Sequence, residues 1–470
     1  MVKANERFFS LADREEGSFP VITMKMIRIQ EPINNNNKTM KTRMFFTVIA
    51  ITLISLISTG EIIASDSAKP KKDQQQVTTI RGRVVDSETG VPLVFAGVSV
   101  QGSNVATVTN LDGEFTLKVS EGETGKLEFS FVGYKNKVMP IDEMKTNGQR
   151  NVIELETAMI PIKEIIVKPM VPEEIMEQVI SHIEENYPVV ANEMTGFYRE
   201  TIRKNRTYVS IGEAVLEIFK APYQNDLRFD AVRIYKGRKS NDVQKMDTVL
   251  FKLQGGPTTT LYLDVVKNPE TFLTREALQQ YDLELTSIVV IDDRTNYVID
   301  FHQKPSITTP LYQGRMFIDI ETYAVAQVEF SFNLENKELA TSMFIRKKPI
   351  GMQVTPEVTS YIVSYREQNG KWYFNHSRAE VKFKVNWKKR LFNTNYTTMS
   401  ELAITDRTDQ DVIRIASKER VRPTDFFTEE VAAFADPDFW GDYNVIEPDQ
   451  SIEAAIRRLA RKVKFSDRTE

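Results

Sequence analysis

Three histidines, His182, His302 and His376, are all the imidazole this chain of 470 residues possesses, and it has no cysteine. Thiolate catalysis, Cys-ligated metals, disulfides and a lipidated N-terminal cysteine are thereby ruled out. Zinc-assisted hydrolysis needs two histidines and a glutamate at the metal plus a carboxylate as general base. His182 and Glu185 have an H-x-x-E spacing that shares one face of a helix, and His302 and His376 fall in strand-like stretches that could complete a composite site. The plainer reading makes His182 a helix residue at the edge of a packed face and expects no metal, no cofactor and no catalytic residue. The acid pairs Asp292-Asp293 and Glu429-Glu430 suit turns better than a glycosidase dyad, since neighbours on a strand point to opposite faces.

The most unusual loop is Gly255-Gly256-Pro257-Thr258-Thr259-Thr260, followed by Asp264 and Lys267. Two glycines permit close backbone approach and the threonines offer hydroxyls. Gly255, Gly256, Pro257, Thr258, Asp264 and Lys267 are therefore candidates for the rim of a ligand site; the alternative is a tight turn capping a short helix. Phe197, Tyr198, Tyr208, Phe219, Tyr223, Tyr262, Tyr312, Phe330, Phe332, Trp372, Tyr373 and Phe374 could line an apolar cavity or fill a core. There is no phosphate-binding glycine loop, dinucleotide fingerprint or G-x-S-x-G elbow. The 61 basic residues are interspersed with 65 acidic ones, a formal charge of −4, so no nucleic-acid partner is expected.

Two blocks must position these residues. From Ile80 to Leu155, short runs of alternating apolar and polar residues carry Val84, Phe95, Val98, Val100, Val105, Val108, Phe115, Leu117, Leu127, Phe129 and Phe131. Turn residues punctuate them at Asp86–Gly90, Gly102–Asn104, Asp112-Gly113 and Gly122–Gly125, the pattern of a small β-sandwich. A helix follows from Pro172, with Ile175, Val179 and Ile183 on one face and a stop at Asn186-Tyr187-Pro188. Strands are then expected at 208–219, 227–235, 247–253, 283–291, 296–302, 314–320, 324–333, 358–365, 372–387 and 396–404. Hairpin signals sit at Asp292-Asp293, Glu321-Thr322 and Asn369-Gly370. So many consecutive strands call for a large antiparallel sheet. Its wet alternating faces, such as Glu380, Lys382, Lys384 and Lys388, suit water better than lipid, and the chain lacks the closing aromatic strand of an outer-membrane barrel. Residues Ser451 to Lys464 read instead as a helix with Ile452, Ile456, Leu459 and Val463 on one face and Arg457, Arg458, Arg461 and Lys462 on the other. It would dock on the protein or lie on an anionic membrane surface.

Gly82, Val84, Asp86, Thr89-Gly90, Pro92-Leu93, Ala96, Val98, Val100, Thr109, Asp112-Gly113, Phe115 and Gly133-Tyr134 together resemble the carboxypeptidase-regulatory-like domain. This is the transthyretin-like sandwich found behind metallocarboxypeptidase catalytic domains and at the front of Bacteroidetes outer-membrane transporters. Ala106, usually Gly in the family, and Asn110, often Asp, depart from the pattern within one hairpin. The resemblance extends to the regulatory domain only; the large α/β peptidase frame is missing. The strip Ile162–Val167 is similar to the one that follows this sandwich in the transporters. The run Arg315–Glu329 looks like a hairpin of the curved half-barrels of LolA-type lipoprotein carriers. The whole second block, with its FYRE, GGP and DPDFWGDYNVIEP stretches, resembles an uncharacterised Bacteroidetes family in which it is paired with the same sandwich.

Met40-Lys41-Thr42-Arg43, the apolar run Met44–Ser58 of about fifteen residues and the small Ala64-Ser65 read as a secretory signal peptide, shorter than the roughly twenty residues of a membrane span; an uncleaved anchor is the alternative. The expected organisation is an over-extended start (1–39), leader (40–65), linker (66–76), sandwich (77–158), connector (159–172), antiparallel β domain with an N-terminal helix (173–405) and C-terminal extension (406–470). The expected fold is mainly β, a sandwich followed by a large curved antiparallel sheet. The function expected is that of an exported, non-enzymatic protein of the periplasm or the periplasmic face of the outer membrane, binding an apolar ligand or lipid on the concave side of the sheet or docking to an outer-membrane complex. A component or relic of TonB-dependent transporters and a zinc carboxypeptidase-like hydrolase are the alternatives.

Overall fold

The computed structural model describes residues 24–28, 77–146, 148–158, 171–241, 249–348, 350–388, 392–433 and 439–457. The expected leader at 40–65, the strip 162–167 and the stretch 458–464 of the expected basic helix lie outside them. The protein is mainly β, as expected.

The sandwich forms where alternation and turns placed it. One sheet orders strands Glu114–Ser120, Val77–Asp86 and Arg150–Leu155; the other orders Ala106–Val108, Gly97–Val100, Lys126–Ser130 and Lys137–Pro140. Ile80, Val84, Val98, Phe115, Leu117, Leu127 and Phe129 close its core. Two residues read as part of that core leave it. Val108 packs outward against Phe197, Val215 and Ala403 of the large sheet. Phe95 sits in a turn at φ +64°, a left-handed backbone that bulky side chains avoid.

The second block is one eleven-stranded sheet. In spatial order its strands are Tyr281–Ile291, Arg294–Gln303, Tyr312–Asp319, Val325–Phe332, Met352–Gln368, Lys371–Trp387, Thr394–Thr408, Asn192–Lys204, Thr207–Lys220, Ala231–Asn241 and Ala432–Ala433. All neighbours are antiparallel except the last pair. The turns Asp292-Asp293 and Asn369-Gly370 have positive φ at both positions, as two-residue hairpins demand. The 192–204 strand lies mid-sheet, paired with 207–220 on one side and with 394–408, about two hundred residues later, on the other. The expected strand at 227–235 is corrected: Leu227–Phe229 is a 3-10 turn capped by Asp226, and the strand begins at Ala231.

One face of this sheet carries the main core, in which Tyr187, Tyr198, Phe272, Phe301, Phe330, Phe332, Tyr361 and Tyr365 are buried. Successive rings pack at centroid separations of 4.9 Å for Phe272–Phe301, 5.1 Å for Phe330–Tyr361 and 5.5 Å for Phe332–Phe344, so these aromatics fill space by touching one another. The helix Pro172–Ser181 adds Ile175, Met176 and Val179 to the core, and breaks at His182 before a last turn, Ile183–Asn186. A short strand, Met24–Arg28, from the segment assigned to an over-extended start, pairs with Val249–Leu253 and Ile345–Lys347. Among the described residues no helix is long and apolar enough to cross a membrane.

Candidate functional site

The other face of the large sheet carries charged residues beside a small apolar patch, and the sandwich and the stretch 439–457 lie on it. In register across five strands stand Arg238, Glu213, Arg199, Glu401 and Arg378. Charges therefore alternate along one row, three guanidiniums with two carboxylates. Arg199 Nε donates to Glu213 Oε1 at 2.9 Å, and Arg238 Nη2 donates to Glu213 Oε2 at 2.8 Å. Glu401 Oε1 lies 3.1 Å from His376 Nε2 and 3.6 Å from Arg378 Nη1. Burial alone would push both carboxyls up; Arg199 and Arg238 override it at Glu213, and Arg378 with the His376 hydrogen bond holds Glu401 at about 2.

The row is roofed by three groups. Arg199 Nη2 donates to the Ile446 carbonyl at 2.8 Å, the Trp440 ring centroid is 4.7 Å from the Arg238 guanidinium, and the Phe95 ring is 5.1 Å from that of Arg378. The Phe95 and His376 rings are 5.4 Å apart, so the left-handed turn at Phe95 delivers its ring onto the charged row, a local strain of the kind found at binding sites. The C-terminal stretch is laced to the sandwich. Asn444 Oδ1 accepts from Lys118 N at 2.7 Å, Asn444 Nδ2 donates to Lys118 O at 3.1 Å, Thr107 Oγ1 donates to Val445 O at 3.3 Å, and Thr116 donates to Glu447. At the far end Gly133 N donates to Val290 O at 2.7 Å and Asn136 N to Asp293 Oδ1 at 2.9 Å.

Between these contacts a cavity of about 290 Å³ remains. Phe95, Asn110 and Leu111 of the sandwich, Arg199, Arg203, Arg378, Glu380, Met399 and Glu401 of the sheet, and Ile446, Asp449 and Ile452 of the tail line it. The residues 450–457 form the start of the expected C-terminal helix, with Ile452 and Ala455 against Tyr208 and Ile211. This end of the helix is docked on the protein.

The loop singled out in the sequence lies on the opposite, core side. Gly255, at φ +85°, precedes the helix Gly256–Leu261, all of whose residues are buried. Pro257 stands in its first turn, Gly256 lies against Phe427, and Thr258 Oγ1 donates to Val421 O at 3.1 Å. Asp264 and Lys267 meet Lys220 and Asp230, far away in sequence, in a four-charge cluster. Lys220 Nζ is 2.6 Å from Asp264 and 2.9 Å from Asp230, and Lys267 Nζ is 2.6 Å from Asp230. Tyr223 and Tyr365 donate to the two oxygens of Asp264 at 2.9 and 2.8 Å. Burial and the neighbouring Lys220 charge bring Lys267 down to about 8. With Asp264 at 0% and Lys267 at 5% exposure, these six residues form part of a core and its ionic anchor, so the short-helix alternative describes their placement.

His182, His302 and His376 stand on three separate elements. Among the described residues no three His, Asp or Glu are grouped to hold a metal ion. The charged row escaped the sequence reading because its members are paired across strands; the one local signal was the alternation Phe197, Arg199, Thr201, Arg203 within a stretch that also buries its other face.

That other face carries Glu200, whose Oε2 accepts from Tyr198 at 2.8 Å. Burial raises its carboxyl from 4.5 to about 7, partly opposed by that hydrogen bond. The folded value lies above the unfolded one, so stability from this group is fully present below pH 4.5 and is lost as pH rises through 7. Glu200→Gln keeps an acceptor for Tyr198 and removes the titration. The variant is expected to gain up to about 3 kcal/mol at pH 8 and little at pH 4.5, read as urea-unfolding midpoints at the two pH values; an equal change at both would refute the assignment.

Residues 80–167 match the family model described as a CarboxypepD_reg-like domain. The chain is 34% identical over 92 residues to the TonB-dependent receptor SusC of Bacteroides thetaiotaomicron, an alignment covering 20% of this chain and 8% of the receptor. The chain thus spans only a small fraction of that relative's length. Among solved structures, it is similar to a domain from Vibrio parahaemolyticus described as outer membrane lipoprotein-sorting, at 10% identity and TM-score 0.22, covering 52% of this chain and 95% of the other. It is likewise similar to a LolA superfamily protein from Nitrosomonas europaea, at 10% identity and TM-score 0.18, covering 52% and 96%.

Proposed function

We propose that this chain is an exported, non-enzymatic binding protein of the cell envelope, working in the periplasm or at the periplasmic face of the outer membrane, whose ligand sits between the sandwich and the polar face of the large sheet. The observation that carries the reading is the cavity where three stretches distant in sequence converge, Phe95–Leu111, the sheet strands and Ile446–Ile452. The ionisable groups around it support binding over catalysis. Glu401 is held ionised by Arg378 and His376, and Glu213 is shared by two arginines, so neither carboxylate is poised to exchange a proton near neutrality. Leu111, Met399, Ile446 and Ile452 beside those charges suit a molecule with an apolar body and a polar end. This puts the ligand on the face that carries the charged row, opposite the one where Phe272, Phe301, Phe330 and Tyr361 pack on one another. Envelope placement rests on the leader-like stretch at 40–65 and on the receptor match.

The receptor match also favours a second reading, in which the sandwich docks the protein to a TonB-dependent receptor complex. Native mass spectrometry on protein purified from the periplasmic fraction separates the two. A bound small molecule that is lost in Met399→Asp is the expected result. Retention of an outer-membrane receptor in place of a small molecule would favour the second, and an empty monomer would refute both.

A further inference from the structure

Five neighbouring strands of the large sheet reach their tips at one end of it: Met352–Gln368 begins there, Lys371–Trp387 ends, Thr394–Thr408 begins, Asn192–Lys204 ends and Thr207–Lys220 begins. Three turns crown this end and are tied to one another. Lys388 N donates to Gly351 O at 3.1 Å, which joins the turn before Met352 to the one after Trp387. Asn205 N donates to Asn395 O at 2.8 Å and Asn205 Oδ1 accepts from Asn395 N at 3.1 Å, which brings in the turn between Lys204 and Thr207. Ile350 and Phe392, at 102% and 83%, are the two most exposed large apolar side chains among the described residues. Gly351 lies at φ +84°, where an added Cβ would meet nothing within 4 Å, so its turn stands clear of the protein. Lys348, Lys388 and Arg206 are exposed on the same turns. Although acids and bases are interspersed over the chain as a whole, the stretches 203–208, 346–354 and 384–396 contain no aspartate or glutamate. Glu357, farther along its strand, is engaged by Lys382 at 3.2 Å.

We infer that this end of the sheet docks on the surface of an anionic phospholipid bilayer. Ile350 and Phe392 enter the boundary between headgroups and acyl chains, while Lys348, Lys388 and Arg206 lie at the level of the phosphates. A single exposed apolar side chain is ordinary on a protein surface. Two on adjoining turn tips, set among cations with no carboxylate between them, combine the two attractions that hold a peripheral protein to an anionic interface: apolar burial, and charge worth about fivefold in affinity for each lysine or arginine near the surface. An acidic protein partner fits less well. It would have to match a continuous surface of about 800 Å², whereas turn tips need no complementary shape to enter lipid. The surface is separate from the cleft, so the inference goes beyond the binding reading given above and does not depend on it.

Co-sedimentation with lipid vesicles, using protein purified from the periplasmic fraction, tests this. Vesicles of phosphatidylethanolamine and phosphatidylglycerol are expected to bind it, and vesicles of phosphatidylcholine alone are not. Lys348→Glu with Lys388→Glu is expected to weaken binding at least about twentyfold, and Ile350→Ser with Phe392→Ser at least about tenfold. All four side chains are exposed, so both variants are expected to keep the parental circular dichroism spectrum and urea midpoint. Arg228→Glu with Arg275→Glu makes the same change of charge on exposed residues elsewhere and is expected to keep the parental affinity. Phe392→Trp is expected to show a blue shift of its added emission with the anionic vesicles. Equal binding to both kinds of vesicle, an equal loss in the control pair, or binding to neither would overturn the inference. Binding that falls with the lysines but ignores Ile350→Ser with Phe392→Ser, without a blue shift at position 392, would also overturn it and leave a purely electrostatic surface of the kind an acidic protein takes.

Discussion

Replacing Asp264 by Asn is expected to destabilise this protein by about 3–5 kcal/mol, the cost of breaking a buried ion pair from one side. The carboxylate is fully buried and serves four neighbours: Lys220, the hydroxyls of Tyr223 and Tyr365, and the Lys267 backbone N–H. Two lysines and two aspartates balance in the native cluster. Without the Asp264 charge, Lys220 and Lys267 must share Asp230 alone, one ammonium too many in a dry interior. Asp264→Ala also strips both tyrosines of their acceptor, adding about 1–3 kcal/mol for each, and is expected to yield mostly insoluble protein. The decisive comparison is the double variant Asp264→Asn with Lys220→Met, which restores neutrality. It is expected to unfold at a higher urea concentration than Asp264→Asn alone. A single variant with the parental midpoint would show that the cluster is not an ionic anchor.

Arg199→Met is expected to cost a similar amount, about 3–5 kcal/mol, and to loosen the join between the two blocks as well. Arg199 is 2% exposed and stands at the middle of the charged row. It gives Nε to Glu213 and Nη2 to the Ile446 carbonyl, so its loss leaves a buried carboxylate short of a donor and frees the tail. The expected signature is therefore double: a lower urea midpoint, and faster proteolytic release of the segment after Trp440. Arg199→Lys is expected to recover little, because an ammonium cannot span Glu213 and Ile446 as a planar fork does. Coupling between Arg199 and Glu213 of more than about 1 kcal/mol in a double-mutant cycle is the quantitative check. Additive effects would reduce the row to chance neighbours. Acid should weaken the same row, since Glu401 has a folded value near 2 against 4.5 unfolded: its contribution is present above pH 4.5 and is lost as pH falls toward 2.

The sandwich was legible because each of its strands is short, half-buried and closed by a local turn, so its period and punctuation lie within a dozen residues of each other. The same holds for the hairpins at Asp292-Asp293 and Asn369-Gly370. The strand Asn192–Lys204 was not, because it is buried on both faces and mixes Phe197 and Ile202 with Arg199 and Glu200, so alternation disappears and charged residues imitate a loop. Asp264 and Lys267 drew attention by their spacing after a glycine pair, but their partners Lys220, Asp230 and Tyr365 come from remote strands and a turn. Whether such residues face solvent or one another is decided by pairings across the sheet, which a linear reading does not contain. Phe95 shows the same limit at one residue: its type suggests core, and only its left-handed turn sends it onto the charged row.

The lacing of residues 441–450 onto the sandwich bears on how the chain is assembled. The contacts of this stretch join Thr107 to Val445 and Lys118 to Asn444, pairs separated by more than three hundred positions. A polypeptide synthesised or exported from its N-terminus can build the sandwich and pair most of the sheet long before those partners arrive. Meanwhile the surface awaiting its cover is a stripe of mutually paired arginines and glutamates, which water solvates well, beside a small apolar patch of Phe197, Val215 and Ala403. A waiting intermediate of this kind has less to aggregate with than one exposing a wholly apolar seam, so a charged junction allows the final closure to be slow.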